Sequence, residues 1–294
     1  MLSEGRGGAR HCAVWGSPIR HSLSPVLHRA AHAALGLGDW SYDRREVDEA
    51  GFADAFTGLD ETWVGLSLTM PLKEVGLRAA DTVSDIAAAT GAANTLVRDV
   101  DLAAGWTAHN TDVHGITMAL RLAGCADPSS VLIVGSGATA RSAVAALTGP
   151  HSTIVFMVRE RVRPETLAQV EAAGAGVHVV RMGDWSAAAD VDAVISTVPP
   201  ASVPGLDTLP AAAGRVRPPV VLDVVYGSGM TPLQRAARER GWSLAEGTDM
   251  LLHQAAEQVR LMTGQPAPLE AMSQALTGAL QADQASGHDT SDDR

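Results

Sequence analysis

The stretch SSVLIVGSGATARSAVAAL, residues 129–147, passes from a short apolar run through a glycine turn into an alanine-rich helix. A segment as short as Val131–Val134, apolar at every position, fits a strand buried on both faces, as in a parallel sheet covered by helices. Gly135 and Gly137 permit a tight turn and close approach of the backbone to a ligand, and Ala138 opens the helix. The unpaired N–H groups at that helix N-terminus suit a phosphate. A ligand-free strand-to-helix junction is the alternative, but the plain strand before and helix after favour a dinucleotide site.

The end of the next strand decides which dinucleotide. An acid there would hold a ribose 2′-hydroxyl, whereas an arginine would hold a 2′-phosphate. The segment FMVRERVRPE supplies Arg159, Arg161 and Arg163, with Glu160 among them. A planar guanidinium matches phosphate by paired hydrogen bonds, so NADP is expected.

Working outward, HCAVWGSP, WSYDRREV, WVGLSLTM and AANTLVR read as strands before this unit, with SLSPVLHRAAHAALGL and EAGFADAFTGL as helices. After it, STIVFMV, HVVRM, DAVISTV, PVVLDVVY and WSLAEG alternate with TLAQVEAAG, TPLQRAARERG and a long helix from 249. Such alternation predicts an α/β protein of two domains with mostly parallel sheets. One domain is expected over 11–110, completed by C-terminal helices at about 249–281, and a Rossmann-like domain over 111–248. Residues 1–10 and 282–294 read as solvated, disordered tails.

Bulk properties narrow the partners. A chain of 294 residues, 46% hydrophobic and 19% charged, suffices for two moderate domains. A net charge of −11 argues against nucleic acid or an anionic membrane, though local donors could still hold one small anion. No apolar run nears the roughly 18 residues of a membrane-spanning helix, and the N-terminal residues lack a signal-type stretch, so a cytoplasmic setting is expected. Cys12 and Cys125 stand in no metal-ligand spacing. His28 and His32 share a helix face but lack a third ligand, so no metal is expected. Monomer and homodimer both remain open.

Four polar clusters precede residue 113: Ser22 and Ser24 in HSLSP, Ser67, Thr69 and Lys73 in SLTMPLK, Asn94 and Thr95 in AANTL, and Asn110, Thr111 and Asp112 in HNTD. Singly, each has a structural explanation, with Ser24 as a helix cap, Asn94 as a turn residue and Asp112 as a cap; Pro71 is expected to start the helix that carries Lys73 in its first turn. Together they lie where strands end, and ligands of open α/β sheets bind beyond carboxyl ends of strands. Hydroxyls, amides, one lysine and one aspartate suit a small hydroxylated acid.

The chain here resembles the shikimate dehydrogenase family. The likeness is carried in order by GSPIRHSLSPVLHRAA, SLTMPLK, GAANTL, NTDVHG, VLIVGSGATARSA, DVVYGSGMTPL and GTDMLLHQA. It implies a reversible NADPH-dependent reduction of 3-dehydroshikimate to shikimate, toward aromatic amino acids, by an N-terminal substrate-binding domain and a Rossmann-type NADP-binding domain. It further implies that Ser22 and Ser24 bind the substrate carboxylate, that Thr69, Asn94, Gln254 and Tyr226 contact substrate, and that Lys73 and Asp112 are the catalytic pair. Gly135, Gly137, Ala138, Arg159 and Arg163 would hold the cofactor, with Gly247 and Met250 near the nicotinamide. Quinate or aminoshikimate dehydrogenase, using NADP or NAD, is the rival within the family. Ser67 stands where many relatives have asparagine, and Val158-Arg159-Glu160 replaces a common Asn-Arg-Thr/Ser.

Overall fold

The computed structural model describes residues 8–98, 105–147, 152–212, 217–227 and 229–288. Its first elements are β1 (Arg10–Gly16), α1 (Ser24–Ala34), β2 (Trp40–Glu46), α2 (Glu49–Thr57), β3 (Trp63–Leu68) and α3 (Lys73–Ala79). There follow β4 (Thr82–Val83), α4 (Asp85–Thr90), β5 (Thr95–Arg98), β6 (Trp106–His109), α5 (Asp112–Leu122), β7 (Ser130–Val134) and α6 (Ala138–Leu147). The remainder is β8 (Thr153–Val158), α7 (Pro164–Ala172), β9 (Gly176–Arg181), β10 (Ala193–Ser196), β11 (Val220–Asp223), α8 (Pro232–Glu239), β12 (Ser243–Ala245), α9 (Gly247–Thr263) and α10 (Leu269–His288).

Two compact units result. The first takes the chain up to Ala88, Ala92–Thr111 and the chain from Ala255 onward; the second takes Ala89–Gly91 and Asp112–Gln254.

The first unit holds a six-stranded sheet in the order β2-β1-β3-β5-β6-β4. Its strands run parallel except β5, which is antiparallel to both β3 and β6. That reversal matters for the site. Asn94 and Thr95 lie at the amino end of β5, not at a carboxyl end as the sequence suggested. Because β5 runs backwards, that end meets the carboxyl ends of β3 and β6, with Thr95 opposite Ser67 and His109.

Three helix boundaries differ from the sequence reading. Ser24 does not cap α1; Leu23 holds that position, and Ser24 lies inside the first turn with Pro25. Pro71 does not begin α3, whose cap is Leu72 and whose first residue is Lys73. Residues 282–288, expected as tail, continue α10, and β1 already begins at Arg10. The tail expectations for 1–7 and 289–294 fall outside the described residues.

The second unit is a fully parallel sheet in the order β12-β11-β10-β7-β8-β9. It explains why Val131–Val134 is apolar at every position. Alternate residues of a strand point to opposite faces, and each face has its own core. Val131, Ile133, Phe156 and Ile195 pack with Ala140 and Val144 of α6, while Leu132, Val134, Met157 and Val194 pack with Trp185, Leu233 and Trp242. Each such side chain contributes about 1.5–3 kcal/mol by leaving water.

Candidate active site

In the first unit, the loop after β3 is stitched to the end of β1. Thr69 N–H donates to the Trp15 carbonyl at 2.9 Å, and Ser17 N–H donates to the Met70 carbonyl at 3.0 Å. Leu72 N–H closes the turn onto the Thr69 carbonyl at 2.8 Å, which leads directly into α3. Lys73, half-buried in the first turn, has its carbonyl bonded by Ala93 N–H at 2.8 Å. The backbone carrying the lysine is thereby tied to the residue before Asn94.

Asn94 and Thr111 are each 2% exposed. Thr111 N–H donates to Asn94 Oδ1 at 2.8 Å, and Asn94 Nδ2 meets Thr111 Oγ1 at 2.9 Å. Thr95 hydroxyl also donates to Asn94 Oδ1, at 2.8 Å. From Thr95 the bonding continues to Gln258 Nε2 at 3.0 Å, from Gln258 Oε1 to Ser67 at 2.9 Å, and from Ser67 to the Tyr42 hydroxyl at 2.6 Å. Tyr42 stacks on His28, with ring centroids 3.9 Å apart and planes 15° apart. His28 Nδ1 donates to the Ser24 carbonyl at 2.9 Å, so the serine segment joins the same buried assembly. Ser22 Oγ accepts from Ser24 N–H at 3.3 Å, which turns its hydroxyl back onto the start of α1. The structure thus ties Ser22, Ser24 and Asn94 together through bonded neighbours, while Thr69 and Lys73 join through backbone bonds.

Tyr42 and Gln258 are residues that sequence reasoning missed. Gln258 carried one usable signal, since it follows Gln254 by one helical turn of α9. The histidines serve packing, with His32 edge-on to Trp40 and the His28 imidazole driven down to a pKa of about 3 by burial.

The remaining site candidates belong to the second unit. Asp112, 5% exposed, is the first residue of α5 and follows Thr111 directly. Gln254 is buried, and its Nε2 donates to the Leu251 carbonyl at 3.0 Å. Met250 is buried on the same helix. Tyr226 lies half-buried on the segment between β11 and α8. A side chain at Gly247 would stand 2.7 Å from the Val225 carbonyl and 2.8 Å from that of Asp223. The start of α9 therefore packs tightly beneath the segment that carries Tyr226. The far end of that segment is fixed by a capping box, in which Thr231 and Gln234 bond each other's N–H groups. Burial raises the Asp223 carboxyl above the usual carboxylate value at the near end.

At the glycine turn, Gly135 adopts φ +102°, a conformation that L side chains rarely adopt. A Cβ there would stand 2.7 Å from Thr197 Oγ1 and 2.8 Å from Val198 Cγ1. At Gly137 a Cβ would meet nothing within 4 Å. The turn is thus closed on its inner side and open beside the helix start at Ala138, which is the shape a pyrophosphate needs. Ser136, between the two glycines, accepts from Arg163 N–H at 3.3 Å through its Oγ, and its carbonyl accepts from Thr166 Oγ1 at 2.8 Å. Turn and arginine loop are therefore one piece. Arg159, Arg161 and Arg163 are exposed, as is Glu160. The chemistry of these residues is compatible with NADP, since a planar guanidinium matches a phosphate.

Comparison with known proteins finds shikimate dehydrogenases. A model described as shikimate dehydrogenase substrate binding domain matches residues 14–96, and one described as Shikimate 5'-dehydrogenase C-terminal domain matches 247–277. A shikimate dehydrogenase (NADP(+)) from Anaeromyxobacter sp. (strain K) is 37% identical over 268 residues, covering 90% of this chain and 94% of that one. The crystal structure of a shikimate 5-dehydrogenase from Mycobacterium fortuitum superposes with a TM-score of 0.77 at 39% identity, covering 92% of this chain and 99% of that one. A shikimate 5-dehydrogenase from Thermus thermophilus, solved in complex with NADP(H) and shikimate, superposes with a TM-score of 0.72 at 25% identity, covering 92% and 99%. By identity over nine-tenths of its length, this chain belongs to the shikimate dehydrogenase family.

Proposed function

We propose that this chain catalyses the reversible reduction of 3-dehydroshikimate to shikimate with NADPH, a step toward aromatic amino acids. The observation that carries the reading is the 37% identity to a shikimate dehydrogenase (NADP(+)) across 90% of the chain. The buried Asn94–Thr111 pair and the open glycine turn support it.

Bound NADPH supplies a hydride to the ketone carbon. The chain's own residues must then deal with the charge that grows on the ketone oxygen. A proton donor or cation beside that oxygen lowers the barrier. Lys73 is assigned this role, donating a proton from Nζ as the alkoxide forms and recovering it in the reverse direction. Asp112 is assigned to hold and orient the ammonium. Support comes from backbone continuity: Asp112 follows Thr111, Thr111 is bonded to Asn94, and the neighbouring Ala93 is bonded to Lys73. Ser22 and Ser24 are assigned to the substrate carboxylate, Thr69, Asn94, Gln254 and Tyr226 to the remainder of the substrate, and Arg159 and Arg163 to the 2′-phosphate. Gly247 and Met250 are assigned to the nicotinamide.

The test is the oxidation of shikimate and of quinate, each with NADP+ and with NAD+, followed by nicotinamide absorbance. Turnover of shikimate with NADP+ at the highest kcat/KM is expected. Preference for quinate or for NAD+ would replace the reading with that of a sister activity. Lys73→Ala should lower kcat at least about 100-fold, the scale of a lost proton transfer, with a far smaller change in KM. Near-normal kcat in the folded variant would remove Lys73 from the mechanism.

A further inference from the structure

Asn94 stands at the edge where the proposed reaction places its substrate, and a line of buried hydroxyls and amides runs from it back to Tyr42. Two backbone groups fix the direction of the bonds along that line. The Thr111 N–H can only donate, so the side-chain atom it meets at 2.8 Å is the oxygen of the Asn94 amide. The Asn94 main-chain carbonyl can only accept, so the atom of Gln258 facing it at 3.3 Å is the nitrogen. Gln258 Oε1 is thereby turned to Ser67, whose hydroxyl must donate to it at 2.9 Å. The Ser67 oxygen in turn accepts from the Tyr42 hydroxyl at 2.6 Å. On the other side, Gln258 Nε2 donates to Thr95 Oγ1 at 3.0 Å, which leaves the Thr95 proton for Asn94 Oδ1 at 2.8 Å. Each hydroxyl carries one proton, so reversing one link would set two acceptors or two donors against each other at the next.

We propose that Tyr42, Ser67 and Gln258 are positioning residues that, through the Thr95 hydroxyl, lock Asn94 in the polarity that the Thr111 N–H gives it toward the substrate. The Thr111 N–H and the Thr95 hydroxyl occupy both lone pairs of Asn94 Oδ1. Toward a ligand, Asn94 therefore acts through its NH2 group, as a donor to a hydroxyl or carboxylate oxygen. Tyr42, Ser67 and Gln258 are at most 3% exposed and act through Asn94. Bonds aligned head to tail polarise one another, so the chain strengthens its last link as well as orienting it. This assignment rests on the reading of Asn94 as a substrate contact.

The experiment measures kcat, KM for shikimate, KM for NADP+ and Tm in the full-length enzyme. Tyr42→Phe keeps the ring on His28 and removes only the hydroxyl. It should raise the shikimate KM about three- to tenfold, the worth of one neutral hydrogen bond, with kcat and the NADP+ KM within about twofold. Gln258→Leu should do at least as much. The Tyr42→Phe/Gln258→Leu double variant should be no worse than Gln258→Leu alone, because the line is already cut between Tyr42 and Asn94. Additive effects, or a lower Tm with an unchanged shikimate KM, would overturn the proposal. If Gln258→Leu fails to fold, Ser67→Ala takes its place in the cycle. Asn94→Ala separates the two readings. An unchanged shikimate KM in that variant overturns Asn94 as a contact, and the positioning proposal with it. A raised KM there beside an unaffected Tyr42→Phe overturns the positioning proposal alone.

Discussion

Replacing Gly135 by alanine isolates what the glycine turn demands of its backbone. The residue sits at φ +102°, and forcing an L side chain into such a conformation costs about 1–2 kcal/mol. The added Cβ would also stand 2.7 Å from Thr197 Oγ1 and 2.8 Å from Val198 Cγ1. Relief requires Thr197 to move, yet its hydroxyl donates to the Val134 carbonyl at 2.8 Å. Losing that bond adds about 0.5–1.5 kcal/mol. A total of about 1.5–3.5 kcal/mol follows, which for a unit of this size lowers Tm by about 3–14 °C. Gly137→Ala is the control, since its Cβ meets nothing within 4 Å and its φ is ordinary. Thermal melts should show Gly137→Ala within about 2 °C of the parent, the cost of an unstrained surface change. Its KM for NADP+ should nevertheless rise about tenfold or more, because the new methyl occupies the space left for the pyrophosphate. Equal melting of both variants would refute the strain argument. An unchanged NADP+ KM in Gly137→Ala would refute the placement of the cofactor.

Removing Arg159 and Arg163 together should raise KM for NADP+ by about tenfold or more while leaving that for NAD+ nearly unchanged, since only NADP+ carries the 2′-phosphate; equal losses with both would place the arginines elsewhere. His28 makes stability fall in acid. Burial lowers its pKa from the ordinary 6.5 to about 3, so its neutral form stabilises the fold fully above pH 6.5. As pH drops from there toward 3, the unfolded chain binds a proton that the folded chain refuses, costing about 2 kcal/mol by pH 5. Denaturant melts of the parent and of His28→Leu should show a weaker acid dependence in the variant between pH 7 and 5; parallel curves would remove His28 as the cause.

What was legible in the sequence was local. The turn at Gly135 could be read because strand, glycines and helix are consecutive. The arginines after β8 could be read because the strand order places that end beside the turn, and Ser136 then bonds the two. Strand direction was not legible. AANTLVR is an acceptable strand pointing either way, and only pairing with Ser67 and His109 reveals that β5 is reversed. That reversal is why Asn94, at an amino end, still joins residues from carboxyl ends. Helix starts were misread where Ser24 suggested a cap and Pro71 a first helical residue; Leu23 and Leu72 hold the cap positions.

The link between Ser67 and Gln258 was not legible for a different reason, and it lies in how α9 meets β3. Gln258 and Met262 are four residues apart on the helix, a rise of about 6 Å. Gly65 and Ser67 are two apart on the strand, a rise of about 6.5 Å, and they share a face. The two spacings match, so Gln258 reaches Ser67 while Met262 lies over Gly65. A Cβ at Gly65 would stand 2.6 Å from Met262 Cγ, so the strand needs glycine there for the helix to come close enough for the Ser67–Gln258 bond. In sequence these are a glycine inside a strand and a glutamine on a helix 191 positions beyond its serine. Neither carries a motif, because their partners are set by the packing of a returning helix and not by neighbours in the chain. The groups proposed to touch substrate sit in short stretches with local signatures, whereas the groups that orient them are spread over elements that meet only when α9 docks on the first sheet.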